Sequence, residues 1–322
     1  MRLQAKVLKF LKSKDKIPLL LGRIHEIRVK LFKKIRLSSD PFISGDTFRA
    51  LSDVKLDQIS EQSLLKAAKN IERLFRRTNN HVILFIDLYC TLEINGQKRI
   101  INWLINLDIQ RNRKLSIIFH NHDVVPSKDF FNEIQSPSIQ CFSPNVVDND
   151  FGVVPIPLGI ENRYFQKNGI IRHFPEKREL CSNELSQRTK SLFASFNVAT
   201  NRLERQEAAD SAQKFGHALN QLRIQPRVFR KSLAESLFVL SPPGNGIDCH
   251  RTWEAIYFGA IPVIKRGKLA ESIYRDLPVC VVDEWSEICS MTRSQLEEIY
   301  KVLIKKSDKK AYFEYWKNVI NG

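Results

Sequence analysis

The chain has 322 residues, 43% hydrophobic and 27% charged, proportions that fit about two globular domains and exclude a disordered tail or a multi-span membrane protein. No apolar run reaches the roughly 18 residues of a membrane helix, and the six cysteines form neither a C-x-x-C pair nor a cluster, which sets aside a structural zinc and a disulfide framework. The formal net charge of +16 is the usual mark of a nucleic-acid binder, but its distribution points elsewhere.

Residues 1 to 37 hold twelve Lys and Arg against only Asp15 and Glu26, so +10 of the charge lies in the first ninth of the chain. Leu3, Val7, Leu8, Phe10 and Leu11, then Ile24, Ile27, Leu31, Phe32 and Ile35, recur at helical spacing. Such a basic amphipathic helix reads either as an anchor on anionic lipid or as a solvated helix packed on the body. The apolar stretch from Ile17 to Leu21 stops at Gly22 and Arg23 with no small-residue cleavage site, and no N-x-[ST] site occurs anywhere, so the expected location is the cytoplasm, peripheral on the membrane's inner face if the anchor operates.

Asp40-Pro41 opens a new unit in which Phe42, Ile43 and Ser44 are extended and Gly45-Asp46 forms a turn. A helix is predicted over 61 to 77, and the continuous apolar run HVILFIDLYC at 81 to 90 has the character of a central parallel strand. A helix at about 97 to 110, a strand at 114 to 120, a short helix at 128 to 135 and strands near 139 to 142 and 153 to 158 continue the alternation. Residues 166 to 188 are polar and aperiodic, as an interdomain connection would be. A second alternation follows: strand 190 to 197, helix 201 to 219, strand 236 to 242, helix 248 to 258, strands 260 to 264 and 278 to 282, and an amphipathic helical tail from 293 to 320. The expected organisation is a basic segment (1–37), an N-terminal Rossmann-like half (38–165), a linker (166–188), a C-terminal Rossmann-like half (189–292) and terminal helices (293–322), with a cleft between the carboxyl edges of the two sheets.

Chemistry concentrates in LSPPGNGIDCHRTWEAIYFGAIPVI, residues 240 to 264. A buried strand ends at Ser241, the chain turns through Pro242, Pro243, Gly244, Asn245 and Gly246, and a helix begins near Asp248, a candidate N-cap. A glycine-rich turn feeding a helix start offers free N–H groups to a phosphate. His250 and Arg251 in the first helical turn oppose the helix dipole unless an anion lies beside them, and Glu254, one turn on, is placed to accept from sugar hydroxyls. The glycine spacing matches neither the dinucleotide nor the P-loop signature, and a plain tight turn with an exposed Arg251–Glu254 pair is the bland alternative.

Residues 236 to 290 resemble the C-terminal donor-binding half of exostosin-like glycosyltransferases of the GT-B fold: a turn, a helix bearing R-x-x-E, small-Gly-x-I-P-V-I, then a strand leading into an acidic-Trp-x-x-[IL] segment. SFNVATNRLERQ (195–206) is similar to the first strand and turn of that half, and VVPIPLGIENRYF (153–165) to the crossing between halves. In the N-terminal half only ISGDTFRAL (43–51) and IIFHNHD (117–123) look alike. The resemblance implies an α/β GT-B enzyme that uses a nucleotide-diphosphate sugar as donor substrate, with no cofactor and no metal. It implies that Glu254 binds the ribose, that Gly244, Asn245, Gly246 and His250 line the diphosphate, and that Arg251 and Arg202 neutralise it, with Asn197 and Ser241 at the neighbouring strand ends. Asp148-Asn149-Asp150 spells D-x-D but lies in a polar loop.

Inverting displacement at the anomeric carbon needs a base for the acceptor hydroxyl, expected from the N-terminal half. Asp123 is the first candidate, followed by His120 and Asp87, the last also readable as a strand-end carboxylate capping a loop. His120 and His122 share a strand face, but Val124 and Val125 break the metallohydrolase pattern. Asp46, Thr47 and Arg49 sit where an acceptor loop belongs, with Asp46 equally a turn residue. The leading expectation is transfer of a sugar to a glycan or lipid-linked glycan. The alternatives are a non-catalytic binder of RNA or another anionic polymer on a degenerate GT-B scaffold, and the same fold used for nucleotide hydrolysis or epimerisation.

Overall fold

The computed structural model describes residues 38–77, 80–88, 95–110, 112–123, 126–146, 152–163, 169–175, 185–220 and 224–322. The basic segment 1–37, the triplet 148–150 and most of the linker lie outside the described residues.

The N-terminal half runs α1 (Gly45–Leu51), β1 (Val54–Leu56), α2 (Glu61–Arg76), β2 (His81–Asp87), α3 (Gly96–Ile105), β3 (Lys114–His120), α4 (Lys128–Glu133), β4 (Ile139–Ser143) and β5 (Val153–Pro155). The C-terminal half runs β6 (Lys190–Ser195), α5 (Arg202–Lys214), β7 (Leu219–Asn220), α6 (Pro226–Ala234), β8 (Ser236–Leu240), α7 (His250–Tyr257), β9 (Ile261–Lys265), α8 (Lys268–Glu271), β10 (Cys280–Val282) and α9 (Trp285–Cys289), before α10 (Arg293–Leu303) and α11 (Phe313–Asn321). Each half carries a five-stranded sheet, ordered β1-β2-β3-β4-β5 and β10-β9-β8-β6-β7, and every pairing is parallel. The chain is therefore an α/β protein of two Rossmann-like halves facing a cleft.

The strand sequences explain the parallel sheets. All five residues of β8 and six of seven in β2 are buried, because helices cover both faces. In α2 the residues Ala67, Ile71 and Phe75, four apart, turn one stripe to the sheet, and Ser60 with Ser63 closes a capping box that fixes where the helix starts. One apolar core lies within each half, and a third joins them, running from Phe42, Phe48 and Phe85 to Trp253, Tyr257 and Trp316.

Several local expectations are corrected. Gly45-Asp46 is not a turn: the Ser44 side chain accepts from Thr47 N and starts α1 there. The helix expected to reach residue 219 stops at Lys214, since Gly216, at φ +78°, takes the left-handed conformation that ends helices, and β7 follows. Asp248 does not cap α7; the cap position falls on Cys249, whose side chain makes no capping bond. The tail also divides. α11 crosses back to the first half, where Phe313 N donates to the Pro41 carbonyl, Ser116 Oγ to the Ile320 carbonyl, and the rings of Phe48 and Phe313 lie 5.5 Å apart.

Candidate functional site

Both sheets turn their carboxyl ends to the same space, where loops rather than strands end and side chains can converge. A cavity of about 510 Å³ opens there, lined from the second half by the ends of β6 and β8 and the start of α7, and from the first by Asp123, Leu158 and Glu161. The glycine loop forms one wall. Arg205 Nε donates to the Pro243 carbonyl at 2.8 Å and its Nη1 to the Asn197 carbonyl at 2.9 Å, so this guanidinium staples the loop after β8 to the loop after β6. A Cβ on Gly244 would lie 2.8 Å from Arg205 Nη2, and one on Gly246 would lie 2.6 Å from Asn145 Nδ2, so a side chain at either position would displace these two groups.

Arg251 sits in the first turn of α7. Its Nε donates to the Ser195 carbonyl at 3.0 Å and its guanidinium lies over the Phe196 ring, while Nη1 is buried with no hydrogen-bond partner. Burial, reinforced by the charge of Arg205, pushes its pKa down to about 10. Holding a guanidinium with one buried donor unsatisfied is costly unless an acceptor meets it, and an anion is the strongest such acceptor. One turn on, Glu254 is only 7% exposed, and burial together with the negative charge of Glu161 pushes its pKa up to about 8, against the opposing pull of Arg230 and Arg251. Its surroundings thus favour the protonated carboxyl over the carboxylate. Because the folded pKa is raised above the usual carboxylate value, the stabilisation is complete below about pH 4.5 and is lost as pH climbs through about 8. Glu254→Gln should match the parent in Tm at pH 5 and exceed it by several degrees at pH 9; equal losses in both proteins from pH 5 to 9 would show that the carboxyl is not held neutral.

Asn197, Gly244, Asn245, Gly246, His250, Arg251 and Glu254 all line this one cavity. Two of the expected donor residues do not. Arg202 is exposed at the outer start of α5, and Arg205, three residues on and facing inward, takes the place by the loop. Ser241 is buried, its hydroxyl 2.8 Å from that of Thr252, so it ties the loop to α7 instead of meeting a ligand.

The candidate bases separate as well. Asp123 lines the large cavity and also a smaller one of about 290 Å³ beside it. His120 is 2% exposed; its Nδ1 accepts from Asn121 N at 2.8 Å and its Nε2 donates to the Pro157 carbonyl, and burial pushes its pKa down to about 4. With the Nδ1 lone pair taken up by Asn121 N, His120 stands as an imidazole held in the wall of the smaller cavity. Asp87 is 1% exposed and lines neither cavity; its Oδ2 accepts from Asn121 Nδ2, which makes it a positioning carboxylate.

The two halves are locked at the cleft by Asp248. Its Oδ2 accepts from Leu158 N at 2.8 Å, its Oδ1 accepts from Trp253 Nε1 at 2.8 Å and from the Tyr274 hydroxyl, and its own N–H donates to Asn145 Oδ1 at 2.8 Å. Burial raises its pKa despite these donors. His250 adds a second link, Nδ1 donating to the Gly159 carbonyl at 2.6 Å. The sequence analysis gives no role to Arg205, Glu161, Asn121 or Asn162; RLERQ, GIEN and HNHD contain them, but only long-range packing shows which of these polar groups point inward.

Among the described residues no three His, Cys, Asp or Glu side chains are placed to hold a metal ion, and no helix is long and apolar enough to cross a membrane. No protein-family model matches the chain, and no curated protein sequence matches it. Among solved structures the chain is similar to an alpha,alpha-trehalose 6-phosphate synthase from Burkholderia multivorans, at 9% identity and a TM-score of 0.39 over 82% of this chain and 76% of that one. It is similar also to the apo structure of OtsA, at 12% identity and a TM-score of 0.38 over 82% of this chain and 78% of the other.

Proposed function

We propose that the chain is a GT-B glycosyltransferase that moves a sugar from a nucleotide-diphosphate sugar to a glycan or lipid-linked glycan, with inversion and without a metal. The observation that carries this reading is the buried, unpartnered Arg251 Nη1 beside Arg205 at the end of a glycine loop, with the buried Glu254 one helical turn away. The diphosphate lies against the Gly244–Asn245–Gly246 loop, Arg205 and Arg251, and the ribose hydroxyls meet Glu254. Asp123, open to both cavities, takes the proton from the acceptor hydroxyl. That hydroxyl oxygen bonds to the anomeric carbon as the carbon–oxygen bond to the diphosphate breaks, and the leaving phosphate oxygen keeps the electron pair, its negative charge met by the two guanidiniums. Residues 1–37 hold the protein to the anionic face of the membrane where a lipid-linked acceptor would lie.

The test is a thermal-shift panel of UDP, GDP, CDP, ADP and dTDP and their common sugar conjugates without added metal. A ligand at 100 times its Kd adds about 2.7 kcal/mol, a shift of several degrees for a chain of this size. One base family standing out supports the donor site and names the base. A flat panel overturns the reading and favours the anionic-polymer alternative.

A further inference from the structure

The smaller cavity, about 290 Å³, adjoins the larger one and shares Asp123, Glu161 and His250 with it. We infer that it receives the acceptor's terminal sugar, and that this sugar carries neither phosphate nor carboxylate: it is a neutral or amine-bearing sugar. The inference rests on the transferase reading and adds the chemical class of the acceptor.

Two features carry it. The first is a rigid floor of amides. Asn121, held at φ +76°, donates through Nδ2 to Asp87 and accepts through Oδ1 from Asn162 Nδ2 at 2.8 Å, while Asn162 Oδ1 accepts from Asp46 N at 2.8 Å. Gly45 lets this floor close, since a Cβ there would lie 1.9 Å from Asn121 Oδ1. Backbone strain held by a buried carboxylate presets the wall of a binding site. Its size suits one ring, being at the lower end of the range for small-molecule sites.

The second feature is charge. Two carboxylates, Asp123 and Glu161, line the cavity with amides and imidazoles, and among the described residues no Lys or Arg lines it. Of the cations near the cleft, Arg205 and Arg251 line the larger cavity, and Arg230 lines neither cavity, its charge acting on Glu254 and on Glu161 from outside the smaller one. An anionic substituent would be desolvated against two carboxylates with no cation in the cavity wall to receive it, whereas hydroxyls and an ammonium find acceptors.

The experiment measures binding of glucose, glucosamine, glucose 6-phosphate and glucuronate to the full chain by saturation-transfer NMR, each with and without the nucleoside diphosphate that shifts Tm most. Glucose and glucosamine should bind at least tenfold more tightly than the two anionic sugars. Glu161→Gln, isosteric and checked by Tm, should narrow that gap. Anionic sugars binding as well as glucose, or none of the four binding while a nucleotide does, overturns the inference alone. Sugar binding with no nucleotide shift overturns the donor assignment instead.

Discussion

Asp248→Ala is expected to lower the stability of the chain by about 4 kcal/mol, because it orphans three buried donors at once, and each unsatisfied donor costs about 1–3 kcal/mol. Those donors are Leu158 N from the first half and Trp253 Nε1 and the Tyr274 hydroxyl from the second, so the loss falls on the joint between the halves. The removed carboxyl, its pKa raised by burial, returns part of that cost by ending its own desolvation. Asp248→Asn keeps one acceptor oxygen and should lose about half as much. Urea unfolding followed by fluorescence checks this: the midpoint should fall with the slope unchanged. A midpoint within experimental error of the parent would show that the halves are held by the shared apolar core alone.

Arg251→Ala should weaken binding of the preferred nucleoside diphosphate about 100-fold, in keeping with the roughly 2–5 kcal/mol lost when one member of a buried charge pair is removed. The variant also loses the bond to the Ser195 carbonyl and the stack on Phe196, so Tm must be read beside affinity. Arg251→Lys keeps the charge and separates the two effects: a point charge restores part of the attraction but not the fork that meets the carbonyl and a phosphate together. Calorimetric titration of both variants measures the outcome. An affinity for the diphosphate within threefold of the parent in Arg251→Ala would falsify the assignment of this guanidinium to the donor.

Much of the architecture is legible in the residues because it is set by local and periodic terms. The apolar runs at 81–87, 114–120 and 236–240 demand strands covered on both faces, and the alternation with amphipathic helices leaves a parallel α/β layer in each half. The loop at 242–246 followed by His250, Arg251 and Glu254 is equally readable, since a glycine turn, a helix start and a one-turn spacing are all encoded within a dozen residues. Composition and pattern therefore determined the two halves, their order and the wall of the larger cavity. Tertiary structure alone decided which polar groups serve it. Arg202 and Arg205 differ by three positions on one helix, and only the packing of α5 turns the second inward to the loop. Asp248, Asn121 and Asn162 owe their roles to partners more than 30 residues away, and the joint between the halves, closed by α11 returning from the end of the chain, is a matter of long-range burial that no local pattern records.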